Sequence, residues 1–144
     1  MSVFWRAAPW LTRLLLLAAA TLFFLIAFKY LSDPAGNAAA DAIGLGSVMA
    51  MSRVRVGFGA FPLSVSLILF GCLASPKRVL GGLMVLATTI AVVTAVRLTG
   101  IVLDGPAEEA LKLLRVEAIL LVLSVAAIFL ERAARRRLVT AAIH

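Results

Sequence analysis

The sequence is poor in the side chains from which most active sites are built. It contains one cysteine, Cys72, and one histidine, His144, in 144 residues. A lone cysteine cannot form a disulfide within the chain, and so few nitrogen and sulfur ligands exclude an ordinary zinc or iron site. The sequence also has no catalytic serine or cysteine motif and no phosphate-binding loop. We therefore expect no catalytic residue, no metal and no cofactor.

Charged residues are scarce as well, at 15% of the chain, whereas 63% of the residues are hydrophobic. The mean hydropathy is +1.10. Soluble domains are roughly 45–50% apolar, so this composition predicts a membrane protein. Its length fits one domain covering residues 1–144.

Four apolar stretches reach the roughly 20 residues that cross a bilayer core. They cover about residues 10–31, 54–73, 79–98 and 111–130. Because lipid offers no hydrogen-bond partners to the backbone, each stretch should be helical. We predict an all-α integral membrane protein, folded as an antiparallel four-helix transmembrane bundle. The first stretch is long for the apolar part of a cleaved signal peptide, so we expect it to be retained as a transmembrane helix.

The charges are unequally divided between the two ends of such a bundle. The end with both termini and the 74–78 turn holds eight basic residues and one acid, Glu131, whereas the other end holds six of each. The eight are Arg6, Arg13, Lys77, Arg78, Arg132, Arg135, Arg136 and Arg137. The positive-inside rule then predicts cytoplasmic termini in a bacterial inner membrane.

Residues 131–144 are predicted to form a basic cytoplasmic tail, with the block "RAARRR" at 132–137. This block serves as an orientation signal, and it also suits anionic lipid headgroups at about 1 kcal/mol per cation. The candidate headgroup contacts are Arg132, Arg135, Arg136 and Arg137. Since membrane topology accounts for the isoelectric point of 11.1, we expect no nucleic-acid partner.

Small residues recur on the third apolar stretch, where Ala87, Ala91 and Ala95 are spaced by four and Gly81 and Gly82 precede them. Such spacing lets helices approach closely in lipid. We favour packing within the bundle, although a homo-oligomer or a larger membrane complex would use the same pattern.

The most informative charge is Glu117, about six residues or roughly 9 Å inside the fourth stretch. A carboxylate at that depth is costly unless it faces the bundle interior and has a partner. Arg55 and Arg97 enter from two other helices at similar depth. We predict a ligand-binding or structural polar cluster of Arg55, Arg97 and Glu117 near the periplasmic face, with Asp104 at its rim. Asp104 or the following glycine is also expected to cap the last helix.

Next to Arg55, the segment "VGFGAFP" combines Gly57, Gly59 and Pro62. Pro62 cannot donate to the carbonyl of Phe58, and the glycines remove bulk one turn earlier. This pattern predicts a helix kink or a cavity beside Arg55. Ordinary helix packing is the alternative interpretation.

The segments "VRVGFGAFPLS" (54–64) and "VRLTGIVLDG" (96–105), with Glu117, resemble a bacterial family of small four-span membrane proteins. That family is known only as a domain of unknown function and is more distantly similar to DoxX-like proteins. The matching positions are Arg55, Phe58, Gly59, Arg97, Leu98, Asp104, Gly105 and Glu117. The resemblance implies a four-helix membrane fold and no particular activity.

Two functional classes stay open beside an enzyme, which the lack of catalytic motifs disfavours. One is a protein that binds a lipid or small molecule at the polar cluster, which predicts an open cavity beside Arg55 and Arg97. The other is an accessory or structural subunit of a larger membrane complex, which predicts a filled core and an exposed face of small residues.

Overall fold

The structure, a computed structural model, describes the backbone of residues 3–41 and 43–141 and the side chains of residues 8–41 and 43–137. Every regular element within these ranges is a helix, which confirms the predicted all-helical class for this part of the chain. The elements are α1 (Val3–Ser32), α2 (Pro34–Ala40), α3 (Val48–Val54), a π-helical segment (Arg55–Ala60), α4 (Phe61–Leu73), α5 (Val79–Asp104) and α6 (Glu108–Ala141). The expectations for His144 and for the Arg6 side chain lie outside the described residues.

Four helical stretches are long and apolar enough to cross a membrane. They are Ala8–Ser32, Val48–Leu73, Val79–Asp104 and Glu108–Arg137. Each contains one of the predicted apolar stretches and extends beyond it. The prediction counted only apolar residues. The helices extend further because the backbone keeps its helical hydrogen bonds through the polar residues at their ends. The basic block at 132–137 accordingly continues helix α6.

The outer surface of these helices is strongly apolar. Trp10, Phe28, Val96 and Phe129 are 67%, 61%, 67% and 65% exposed. Soluble monomers rarely expose contiguous apolar surface on this scale. The surface therefore fits lipid as the surrounding medium.

The core forms where α1 packs against α4 and the π-helical segment, and where α6 packs against α5 and α1. Leu16, Leu69, Leu83 and Leu86 are completely buried there. The buried Ser66 hydroxyl also donates to a backbone carbonyl of α1 at 2.8 Å, which links α4 to α1 by a polar contact within the apolar core.

Gly82 allows α5 to approach α4 and α1 closely. A Cβ atom on Gly82 would lie 2.8 Å from both the Cys72 Cβ and the Leu16 Cδ2. The interior position expected for the small residues of α5 is thus confirmed at Gly82. It is wrong for Gly81, Ala91 and Ala95, which are exposed. They face outward because α5 turns its leucines, rather than its alanine stripe, toward the core.

The second membrane-length stretch changes its backbone geometry where the glycines and the proline stand. Helix α3 passes directly into the π-helical segment and then into α4. At that junction the Phe61 N–H donates to the Val56 carbonyl, five residues earlier. A wide turn of this kind accommodates Pro62, which has no N–H of its own to place. The helix irregularity predicted beside Arg55 is therefore a π-helical turn.

Candidate functional site

A buried ion pair joins the last two long helices. Arg97 of α5 donates its Nε–H to both carboxylate oxygens of Glu117 on α6 at 2.9 Å, and its Nη2 lies 2.6 Å from Oε1. Glu117 is only 9% exposed. Because residues 105–107 alone separate the two helices, residues a few turns from that loop meet at similar height. The bidentate, charge-assisted bonds offset the cost of burying the carboxylate.

The structure does not bring Arg55 to this pair. Its side chain is exposed, and it forms no hydrogen bond or ion pair with any side chain in the described ranges. The π-helical segment that carries Arg55 packs against α1, whereas the ion pair lies between α5 and α6. Phe58, from the same segment, reaches the region of Arg97 instead.

Asp104 lies beside the ion pair without bonding to it. It is the exposed last residue of α5, and with Arg97 it lines a cavity of about 290 Å³, the Asp104 cavity. Helix α5 ends there because Gly105 adopts a positive φ of 96° and donates its N–H to the Ile101 carbonyl at 3.1 Å. Helix α6 begins only at Glu108. The expectation that Asp104 or Gly105 caps the last helix is therefore wrong, since both complete the preceding one.

The predicted kink residues have separate roles. A Cβ atom on Gly59 would lie 2.7 Å from the Leu31 Cδ2, so this glycine allows the π-helical segment to approach α1. Gly57 has no heavy atom within 4 Å of its Cβ position. Pro62 is buried in the first turn of α4. The three residues shape the helix rather than contact the ion pair.

A second polar group surrounds Asp41, just after the short helix α2. Asp33 caps that helix by accepting a backbone N–H at 2.9 Å, and Pro34 occupies its first turn. The chain turns back so that Asp41 accepts hydrogen bonds from the Tyr30 hydroxyl and, at 3.3 Å, from the Lys29 ammonium group. The bond from Tyr30, with a smaller contribution from Lys29, holds the pKa of the Asp41 carboxyl below its ordinary value of 3.8. Asp41 is therefore an anion at neutral pH.

Between the ion pair and Asp41 lies a cavity of about 640 Å³, the Arg97 pocket. It is lined by Tyr30, Ala40, Asp41, Ile43, Phe58, Arg97, Glu109, Lys112 and Leu113. The rings of Tyr30 and Phe58 stack with centroids 5.1 Å apart and planes inclined by 30°, which gives the pocket an aromatic wall. Its volume falls in the range of about 300–1,000 Å³ typical of small-molecule sites.

The Arg97 pocket carries charges of both signs. Arg97 is paired with Glu117, and Lys112 is paired with Glu108 at 2.7 Å. Glu109 also lines the pocket but forms no ion pair with a described side chain. The arrangement can hold a polar or amphiphilic molecule through hydrogen bonds, charge and ring contacts. The described residues contain no group of three side chains able to hold a metal ion.

The far ends of α1 and α6 form another polar cluster, the Glu131 cluster. Glu131, 8% exposed, accepts hydrogen bonds from Thr12 at 3.1 Å and from the Arg135 Nε–H at 2.9 Å. Arg135 also donates to the carbonyls of Pro76 at 2.7 Å and Lys77 at 3.3 Å. This arginine, expected among the headgroup contacts, therefore has partners within the protein.

Sequence reasoning missed the aromatic and acidic lining contributed by Tyr30, Asp41, Phe58 and Glu109. The segment "SDPAGNAAAD" at 32–41 could have indicated this lining, because Asp33 followed by Pro34 predicts the start of a helix. A short helix there returns the chain toward residue 30.

The family resemblance noted from the sequence rests on short segments around Arg55, Arg97 and Glu117. The structure joins the last two in one ion pair and leaves Arg55 apart. The resemblance stays a prediction, because comparison of the chain with protein-family models, with curated proteins and with solved structures found no match.

Proposed function

We propose that this chain is an antiparallel four-helix bundle of the bacterial inner membrane, with both termini in the cytoplasm. Contacts between distant residues support the antiparallel order: Thr12 of α1 bonds to Glu131 of α6, and Tyr30 near the other end of α1 stacks on Phe58. The basic block at 132–137 near the Glu131 cluster supports the orientation. Its exposed arginines then meet anionic lipid headgroups.

A fusion experiment tests the orientation. A reporter attached after His144 should be active only in the cytoplasm. Activity of the same reporter in the periplasm would contradict the proposed topology.

Within this arrangement, the Arg97 pocket binds a lipid or small molecule near the periplasmic face. The cavity of about 640 Å³ beside Arg97 is the observation that carries this function. The alternative of a structural subunit predicts a filled core, so an open cleft beside Arg97 favours the binding function. The mixture of rings and both signs of charge favours a ligand with polar and apolar parts. The proposal agrees with the family resemblance, which implies the same fold.

Two neighbouring alanines provide a test of the pocket. Ala40 lines it, whereas Ala39 is also exposed but lies outside its lining. The wild-type protein, purified in mild detergent, should retain a molecule that Ala40→Trp displaces and Ala39→Trp does not. Mass spectrometry of the purified proteins gives the measurement. Equal retention by both variants would contradict binding in this pocket.

A second candidate function is that of an accessory or structural subunit in a larger membrane complex. The exposed Ala91 and Ala95 on α5 favour it, because small residues on a lipid-facing surface allow another helix to approach closely. Under this alternative, Ala91→Leu should release a copurifying protein and leave the bound molecule in place.

A further inference from the structure

The seam between α4 and α5 opens into an apolar groove of about 440 Å³, the Met84 groove. Phe61 lines it from α4, and Met84, Thr88 and Val92 line it from α5. Helix α4 packs far more extensively against α1 than against α5, which leaves this seam incompletely filled. Since Phe61 is 55% exposed and Val92 is 57% exposed, the groove is open to the surrounding medium.

The Met84 groove and the Arg97 pocket are lined by nearby residues of the same two membrane-length stretches, Val48–Leu73 and Val79–Asp104. Phe58 lines the pocket, and Phe61, three residues later, lines the groove. On α5, Arg97 lines the pocket, and Val93, four residues earlier, lines the groove. On the regular helix α5, residues four apart are neighbours on one face, so the groove and the pocket lie next to each other there. From Val93 to Met84 the groove follows α5 for about 14 Å at 1.5 Å per residue.

Together the two cavities have the features of a binding site for an amphiphilic molecule. One compartment is polar and aromatic, and the other is elongated and apolar. The charges of the polar compartment restrict the type of lipid headgroup that it can bind. Arg97 and Lys112 already have carboxylate partners, and the Arg97 guanidinium keeps N–H donors that its bonds to Glu117 do not use. Glu109 has no such partner among the described residues. A ligand that brings both an anion and a cation therefore matches the pocket better than a purely anionic one.

We propose that the ligand is a membrane phospholipid with a zwitterionic phosphoethanolamine headgroup and one acyl chain in the Met84 groove. Its phosphate contacts Arg97 and Lys112, and its ammonium group contacts Glu109 and Asp41. This inference rests on the proposed function, since it specifies the molecule in the Arg97 pocket. A phosphoglycerol headgroup leaves Glu109 without a cation, and a phosphocholine headgroup supplies a cation without N–H donors.

The headgroup is tested with the full chain in vesicles of equal parts phosphatidylethanolamine and phosphatidylglycerol. After extraction in mild detergent, native mass spectrometry counts the retained lipids of each kind. We expect phosphatidylethanolamine to be enriched, and Glu109→Gln to reduce that enrichment about tenfold, as for the loss of one charge-assisted hydrogen bond. Asp33→Asn is the matched control, because Asp33 is an exposed carboxylate outside the pocket lining and asparagine keeps its capping role. Lipid lost on Ala40→Trp comes from the Arg97 pocket rather than from the basic block. If that substitution releases as much phosphatidylglycerol as phosphatidylethanolamine, the headgroup assignment is overturned.

Replacing phosphatidylethanolamine by phosphatidylcholine in the same vesicles tests the N–H donors of the ammonium group. We expect retention to fall about tenfold again. Undiminished retention of phosphatidylcholine would overturn the assignment of the ammonium contacts to Glu109 and Asp41.

The acyl chain is tested by filling the groove. Val92→Trp should reduce lipid retention several-fold, about as expected for losing part of a buried chain. Val96→Trp is the matched control, since Val96 is a 67% exposed valine of the same helix that lines neither cavity. Both substitutions sit on exposed positions, and unchanged thermal midpoints show that the variants are folded. Retention by Val92→Trp at the wild-type level would overturn the placement of the chain.

The outcomes also separate this inference from the proposed function. If Ala40→Trp abolishes binding while Glu109→Gln and Val92→Trp leave it unchanged, the pocket has a ligand but the phospholipid assignment is wrong. If all three variants behave as the wild type, both the pocket function and the ligand assignment are wrong.

Discussion

Arg97 and Glu117 face each other from consecutive helices and share a bidentate ion pair, with both carboxylate oxygens of Glu117 engaged. Glu117 is almost entirely removed from the surroundings, whereas the Arg97 side chain keeps 26% of its exposure. The carboxylate thus depends on this one arginine for its charge compensation, while the arginine, which lines the Arg97 pocket, retains N–H donors that these bonds do not use.

Removing the carboxylate should therefore destabilise the protein strongly. We expect Glu117→Gln to lower the free energy of unfolding by about 3–5 kcal/mol, because Arg97 is left partly buried without a counter-ion. The midpoint of thermal unfolding in mild detergent provides the measurement. Adding Arg97→Gln should recover part of the loss, whereas adding Arg55→Gln should be simply additive. A wild-type midpoint for Glu117→Gln would show that the pair contributes nothing.

The contacts of Asp41 should weaken in acid. Its folded pKa lies below 3.8, so the stabilisation is fully present above the ordinary pKa and is lost as the pH falls through the folded value. We expect hydrogen-exchange protection of helix α2 to decrease in that acidic range, with Lys29 and Tyr30 as the groups released. Asp41→Asn should remove this pH dependence. Asp33→Asn should preserve it, because asparagine caps a helix as well as aspartate does; a lost dependence in this control would implicate Asp33 instead.

Neighbouring glycines on α5 should respond differently to the same substitution. Gly82→Ala places a methyl group 2.8 Å from the Cys72 Cβ, which cannot move without its helix. We expect a loss of about 1–3 kcal/mol, the usual cost of overpacking. Gly81→Ala meets no heavy atom within 4 Å and should be neutral or slightly stabilising. Thermal midpoints measured side by side test the difference, and equal effects would mean that α5 and α4 do not approach closely at Gly82.

The arginines of the basic block should also be unequal. Arg135→Ala removes a partner of the buried Glu131 and of two turn carbonyls, so we expect a loss of about 1–3 kcal/mol in stability. Arg132→Ala is the control, since Arg132 is exposed and forms no bond with a described residue. Measurement at high salt adds a second readout, because screening weakens exposed pairs more than buried ones. Equal losses in both variants would argue against a distinct role for Arg135.

Features that depend on residues close in sequence could be predicted, whereas contacts between distant residues were harder to predict. The membrane-length helices were predictable because hydropathy is a local property of the chain. The Arg97–Glu117 pair was predictable because a deep carboxylate requires a cation and a short loop sets both partners at similar depth. The predicted contact between Arg55 and Glu117 was wrong. Which helices pack side by side depends on their whole contact surfaces, and the depth of a single residue does not reveal this. The Tyr30–Asp41 contact was missed because it depends on a short helix that folds the chain back.

The π-helical turn has a consequence for changes in chain length. In an α-helix each residue rotates the chain by about 100°, so deleting one residue turns everything beyond it away from its packing partners. The stretch Arg55–Ala60 winds more widely than an α-helix and accommodates an additional residue. It can lose that residue and become regular while Val48–Val54 and Phe61–Leu73 keep their faces. Gly57, whose surroundings are empty within 4 Å of its Cβ position, is the residue whose deletion the bundle should tolerate.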